Sequence, residues 1–125
     1  MKSKPPRGTL NMKERRRRPR IDSLNLVAYA CLDEQENVVQ RGMGRTLNIS
    51  ELGILLETYH PLETKYVLLI DIGIEDDLVD LKGRVVHFRV NEEKRNETGI
   101  EFSEVDEGSV EKLRRYIEHF YEVHG

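Results

Sequence analysis

Tryptophan is absent from this chain, cysteine occurs once, and Phe and Tyr together supply only 6% of its 125 residues. A lone Cys31 excludes an internal disulfide, and without a secretion signal it points to a reducing, cytoplasmic setting. The thiol falls in a strand-like run and reads as a buried structural group. No apolar run approaches the ~20 residues that a membrane-spanning helix needs, and the opening MKSKPPRGTLNMKERRRR carries no apolar segment. Asn48-Ile49-Ser50 has the form of a glycosylation acceptor but lacks the secretory compartment that would use it. Catalytic patterns are missing too. His60, His87, His119 and His124 have no metal-ligand spacing, Cys31 has no neighbouring base, and no phosphate-cradling glycine loop is present. Asp76-Asp77 falls in a polar connector, where a solvated loop is the default. The chain reads as a binding protein, not an enzyme.

What is present is charge, unevenly placed. Residues 1–20 hold nine Lys/Arg against one acid, and residues 21–125 hold eleven against twenty-two, so a net charge of −3 hides a local +8 and a local −11. A basic arm on an acidic body suggests an anionic partner for the arm. The length fits one domain with a core of its own.

Residues 1–13, broken by Pro5, Pro6 and Gly8, read as a disordered tail, and 14–125 as a single domain. Pro19 biases Arg18 toward an extended conformation. From Leu24 to Leu32 the chain alternates, with Leu24, Leu26, Ala28, Ala30 and Leu32 on the consistently apolar face. Further strands are expected over Val39–Leu47, Gly53–Tyr59, Lys65–Gly73, Leu81–Val90 and Thr98–Val105. Ile74–Asp80 is expected as an acidic connector and Asn91–Glu97 as a polar hairpin turn. Val110, Leu113, Ile117 and Phe120 recur at helical spacing, with Ser109 or Asp106 as the N-cap. Six short strands followed by one helix indicate a mainly β protein, a small barrel or sandwich with the helix packed on it.

Two motifs carry chemistry. The run ERRRRPR, Glu14 to Arg20, uses arginine throughout, and arginine presents a planar fork that grips phosphate in two hydrogen bonds and stacks on flat rings. Such arms also bind RNA and anionic membranes, although the acidic body argues against a large nucleic-acid footprint. NISELG, Asn48 to Gly53, joins two strands. Asn48 offers a donor and an acceptor, Ser50 a hydroxyl, and Gly53 either positive φ or close approach of a ligand to backbone. The same pattern is also good turn chemistry. On a small barrel the two motifs can meet at one surface.

Together they resemble the signature of the PilZ domain, a bacterial receptor for cyclic di-GMP: R-x-x-x-R at Arg16–Arg20, then D/N-x-S-x-x-G at Asn48–Gly53. LKGRVVHF is similar to the family's G-x-V strand, and TGIEF to its G-I-x-F strand before the final helix. The resemblance implies a six-stranded antiparallel β-barrel with a C-terminal helix and a flexible basic N-terminal arm. It implies that Arg16 and Arg20 bind phosphates and guanine edges, with Arg15 and Arg17 assisting. Asn48 would face a guanine, Ser50 would hydrogen-bond the ligand, and Gly53 would let backbone and base come close. His87 sits where some relatives place a ring that stacks on guanine, an inward structural histidine being the competing reading. Ligand would order the arm and change the surface shown to a downstream protein partner. Nucleic-acid or anionic-surface binding, and a PilZ-like adaptor that binds no nucleotide, are the alternatives.

Overall fold

The computed structural model describes residues 20–103 and 106–124. Residues 1–13, Arg15, Arg16 and Arg17 lie outside them. Six strands follow in order: β1 Leu26–Leu32, β2 Val38–Ile49, β3 Gly53–Thr58, β4 Val67–Ile74, β5 Asp77–Val90 and β6 Asn96–Ser103, then α1, Glu107–His124. They close into an antiparallel barrel in the order β1-β2-β3-β6-β5-β4. Closure leaves no unpaired edge, so the helix has a barrel end to cover.

That end is built from aliphatic side chains. Leu113 and Ile117, four apart on one helix face, join a core that includes Ile21, Ile49, Ile54, Leu68, Ile70, Ile72 and Ile100. Asp106 is the cap: its Oδ2 accepts the N–H of Ser109 at 3.0 Å. Polar contacts fix the helix azimuth. The Tyr116 hydroxyl lies 2.5 Å from Ser23 Oγ, Lys112 pairs with Asp77 at 3.3 Å, and Arg114 pairs with Glu51 at 3.4 Å.

Two sequence expectations are corrected. In β1 the inward face is Val27, Tyr29 and Cys31, while Leu24 and Leu26 are exposed. Alternation fixes the period but not which face turns inward, and here the outer face is apolar too. Ile74–Asp80 is no connector: β4 and β5 run on to Ile74 and Asp77, leaving a tight turn at Glu75-Asp76 with Glu75 in the left-handed region. Val79 and Leu81 of β5 point inward and Asp80 between them points outward, while Glu75 and Asp76 form the turn and Asp77 is exposed at the strand's end. Cys31 is fully buried, and burial, then Glu63, push its thiol up, which fits an inert structural cysteine.

The two longer hairpin loops, Asp33–Asn37 and Asn91–Arg95, share one design. The first residue's side-chain Oδ1 accepts N–H groups two and four positions on, and the fourth residue, Glu36 or Lys94, has φ of 65°. An Asx turn followed by one left-handed residue sets both hairpins. No helix among the described residues is long and apolar enough to cross a membrane.

Candidate functional site

The site residues are brought to the outer surface of β2, β3, β6 and β5 by two irregularities. In β2, Thr46 pairs with Leu56 but Asn48 pairs with Leu55, so Leu47 is an extra residue. In β5, Val85 pairs with Ile100 but His87 pairs with Gly99, so Val86 is extra. A bulge inverts the side-chain alternation beyond it. Thr46 and Ile49 can therefore both be buried while Asn48 faces outward, and Val85 can be buried while His87 is exposed. The inward reading of His87 is excluded. The result is a cross-strand row, Asn48–Leu55–Gly99–His87, spanning four strands.

Arg20 stands at the Asn48 end of this row. Ile21 is buried and exchanges two backbone hydrogen bonds with Ile49, at 2.8 and 2.9 Å. That pairing lays the end of the basic arm beside β2, and Arg20 Nη1 donates to Asn48 Oδ1. An open groove of about 510 Å³ results, lined by Arg20, Asn48, Leu55, His87, Gly99 and Glu101 among others.

The NISELG loop shows the turn chemistry that its sequence also offered. Ser50 is buried, and its Oγ accepts the N–H groups of Leu52 and Gly53, each at 3.2 Å, while its own N–H donates to Gly53 O at 2.9 Å. The hydroxyl thus organises the turn. No glycine among the described residues has positive φ. Gly53 is instead demanded by packing: a Cβ there would lie 2.1 Å from the Ile100 carbonyl oxygen. The loop is tied to the rest by Leu52 O, which accepts the Phe102 N–H at 2.8 Å, and by Glu51, whose carboxylate pushes the Arg114 guanidinium further up.

Gly99 has the opposite role. A Cβ there would lie 2.1 Å from His87 Nε2, so the imidazole rests across this glycine. The next outward row of the same face is ionic: Arg45–Glu57–Glu97–Arg89. Arg45 Nε donates to Glu57 at 2.8 Å, Arg89 Nε donates to Glu97 at 2.9 Å, and Asn91 Nδ2 donates to both carboxylates, at 3.1 and 3.0 Å. Hydrogen bonds from Arg89 and Asn91 hold the Glu97 carboxyl below its usual range. Two buried acids placed directly opposite are thereby paired with cations, and β3 is clamped to β6 beside the groove.

Leu52, Leu55, Gly99 and Glu101 line the groove without being singled out by the sequence reading. The TGIEF motif contains two of them, yet only the pairing with His87 shows why Gly99 must be glycine. No group of three or more His, Cys, Asp or Glu among the described residues could hold a metal ion. The groove can take a ligand with a flat ring and negative charge: Arg20 supplies the cation, His87 a ring face, and Asn48 an amide.

Comparison with known proteins agrees with this architecture. The fold is similar to that of the Bacillus subtilis inhibitor of motility (MotI/DgrA), with a TM-score of 0.72 and 18% identity over 90% of this chain. This chain spans about half of that protein, 53%. It is also similar to the PilZ domain of YcgR from Escherichia coli, solved with c-di-GMP (TM-score 0.64, 16% identity, 87% of this chain and 93% of that one). The PilZ domain of CeSA from a cellulose-synthesizing bacterium gives 0.60 at 14% identity, covering 82% and 98%. No curated protein matches the sequence. The sequence profile of the PilZ domain matches residues 14–119, and the chain belongs to the PilZ domain family.

Proposed function

We propose that this chain is a bacterial cyclic di-GMP receptor that binds its ligand in the groove between Arg20 and His87. The observation that carries the reading is the row Asn48–Leu55–Gly99–His87 with Arg20 at its end. Family membership supports it, as does a structural neighbour solved with this nucleotide. Cyclic di-GMP is a dianion with two purines. Arginine suits its phosphates, or guanine O6 and N7, in bidentate contacts. His87 suits a purine face.

Arg20 is fixed beside Asn48, and Arg15, Arg16 and Arg17 precede it within five residues. In the proposed switch these arginines repel one another until the dianion neutralises them. Ligand then draws the arm over the groove and alters the surface that a protein partner meets. Ser50 and Gly53 act in this scheme by holding the loop that presents Asn48. The protein works as a receptor and not as a catalyst, in a reducing cytoplasm that suits its buried thiol.

Calorimetric titration against cyclic di-GMP, GMP and a duplex oligonucleotide at two salt concentrations tests this. Binding of cyclic di-GMP in preference to GMP, with a shallow salt dependence, is expected. Tight oligonucleotide binding that falls steeply with salt would favour a nucleic-acid function for the arm. Silence toward cyclic di-GMP at high micromolar concentration would leave the adaptor reading.

A further inference from the structure

The groove has two electrically different ends. Arg20 and Asn48 line it from the β2 side, while Glu101 lines it from β6, two strand spacings or ~10 Å away. Gly53 is the cross-strand partner of Glu101, and Gly99 lies two residues from Glu101 on the same face. A carboxylate therefore stands beside a floor of Gly53 and Leu55, in the groove that also holds the His87 ring laid across Gly99. Its one ion-pair partner among the described residues is Arg84 at 3.9 Å, with both side chains more than half exposed. That is a long surface contact worth little. The acceptor of Asn48, by contrast, is already engaged by Arg20.

Resting on the cyclic di-GMP reading, we propose that Glu101 is a specificity-determining residue whose carboxylate accepts the N1–H and N2–H donors of one guanine, the purine lying over Gly53 and Leu55 beside the His87 ring. A carboxylate facing two parallel N–H donors makes charge-assisted bonds about twice as strong as neutral ones. Adenine presents a bare ring nitrogen at the same edge and would meet the carboxylate acceptor to acceptor. Hypoxanthine keeps N1–H but lacks the 2-amino group. The chain carries asparagine at 48, where the family pattern allows aspartate, and Glu101 supplies a carboxylate to the same groove from another strand.

The competing role for Glu101, neutralising Arg84, predicts the opposite sign. Removing the carboxylate would then free a cation near a dianionic ligand, and affinity would rise. Titration of wild type and Glu101→Gln with cyclic di-GMP and with its inosine analogue, cyclic di-IMP, separates the two. Wild type is expected to prefer cyclic di-GMP by about ten-fold or more. Glu101→Gln is expected to lose about ten-fold for cyclic di-GMP and to show almost no preference between the two. Thermal unfolding should be unchanged, because the side chain is exposed. Unaltered or tighter binding by Glu101→Gln, or an undiminished inosine penalty, overturns this role while leaving the receptor reading intact. Wild type that binds neither nucleotide overturns both.

Discussion

The His87 imidazole rests directly on Gly99, so close that a Cβ at 99 would fall 2.1 Å from its Nε2. The bulge at Val86 turns the ring outward, and the glycine gives it a place to lie. A flat aromatic laid along a sheet surface is a stacking platform.

Gly99→Ala and Gly53→Ala therefore differ in kind. At 99 the clash is with the end of an exposed side chain that can rotate away. Stability should fall by less than about 1 kcal/mol, while cyclic di-GMP affinity falls about ten-fold as the platform is lost. At 53 the clash is with the Ile100 carbonyl in the adjacent strand. The sheet must open there, and a loss of about 2–4 kcal/mol is expected. Chemical denaturation and calorimetry on both variants check the pair, and equal stability losses would refute the assignment.

The strands and the helix are legible in the sequence, and the site only in part. Helical spacing of Leu113 and Ile117 and the turn chemistry of Asp33 and Asn91 are local signals that the fold obeys. Which face of β1 turns inward is a tertiary matter, because Leu24 and Leu26 are as apolar as the residues actually buried. The bulges at Leu47 and Val86 have no local signature, since neither holds a glycine or proline, and they show only in the pairing with the neighbouring strands. They decide where Asn48 and His87 point. Ser50 and Gly53 are visible as a motif, but the packing of Gly53 against β6 depends on a strand nearly fifty residues later.

On the opposite face, Asp71 and Asp80 are cross-strand partners, with Arg41 and Lys82 in the adjacent row. A hydrogen bond to Asp80, then burial, then the Asp80 charge push the Asp71 carboxyl up to about 6 from 3.8, a shift that belongs to the pair. Between those values the folded protein holds a proton the unfolded chain has released, so stability falls as pH rises through this window and stays lower above it. Asp80→Asn should be more stable than wild type at pH 7–8, by about 1 kcal/mol or less after solvent screening. That advantage should vanish near pH 4. A denaturation series over pH checks it, and a constant difference would contradict it.

The Glu97 carboxyl works in the other direction. Held low by Arg89 and Asn91, it adds stability that is present above the ordinary carboxylate range and lost as pH falls through its depressed value. Arg89→Gln should flatten the acid limb of the stability profile and leave the alkaline limb unchanged.

In the proposed receptor Arg20, Asn48 and His87 bound one binding site. Backbone amide shift mapping during cyclic di-GMP titration of the full chain tests it most directly. The predicted result is a contiguous set of perturbed amides at Arg20, Asn48, Leu52, Gly53, Leu55, His87, Gly99 and Glu101. A set centred instead on Ala28, Ala30, Asp71 and Asp80, which line a groove of about 540 Å³ on the other face, would contradict it.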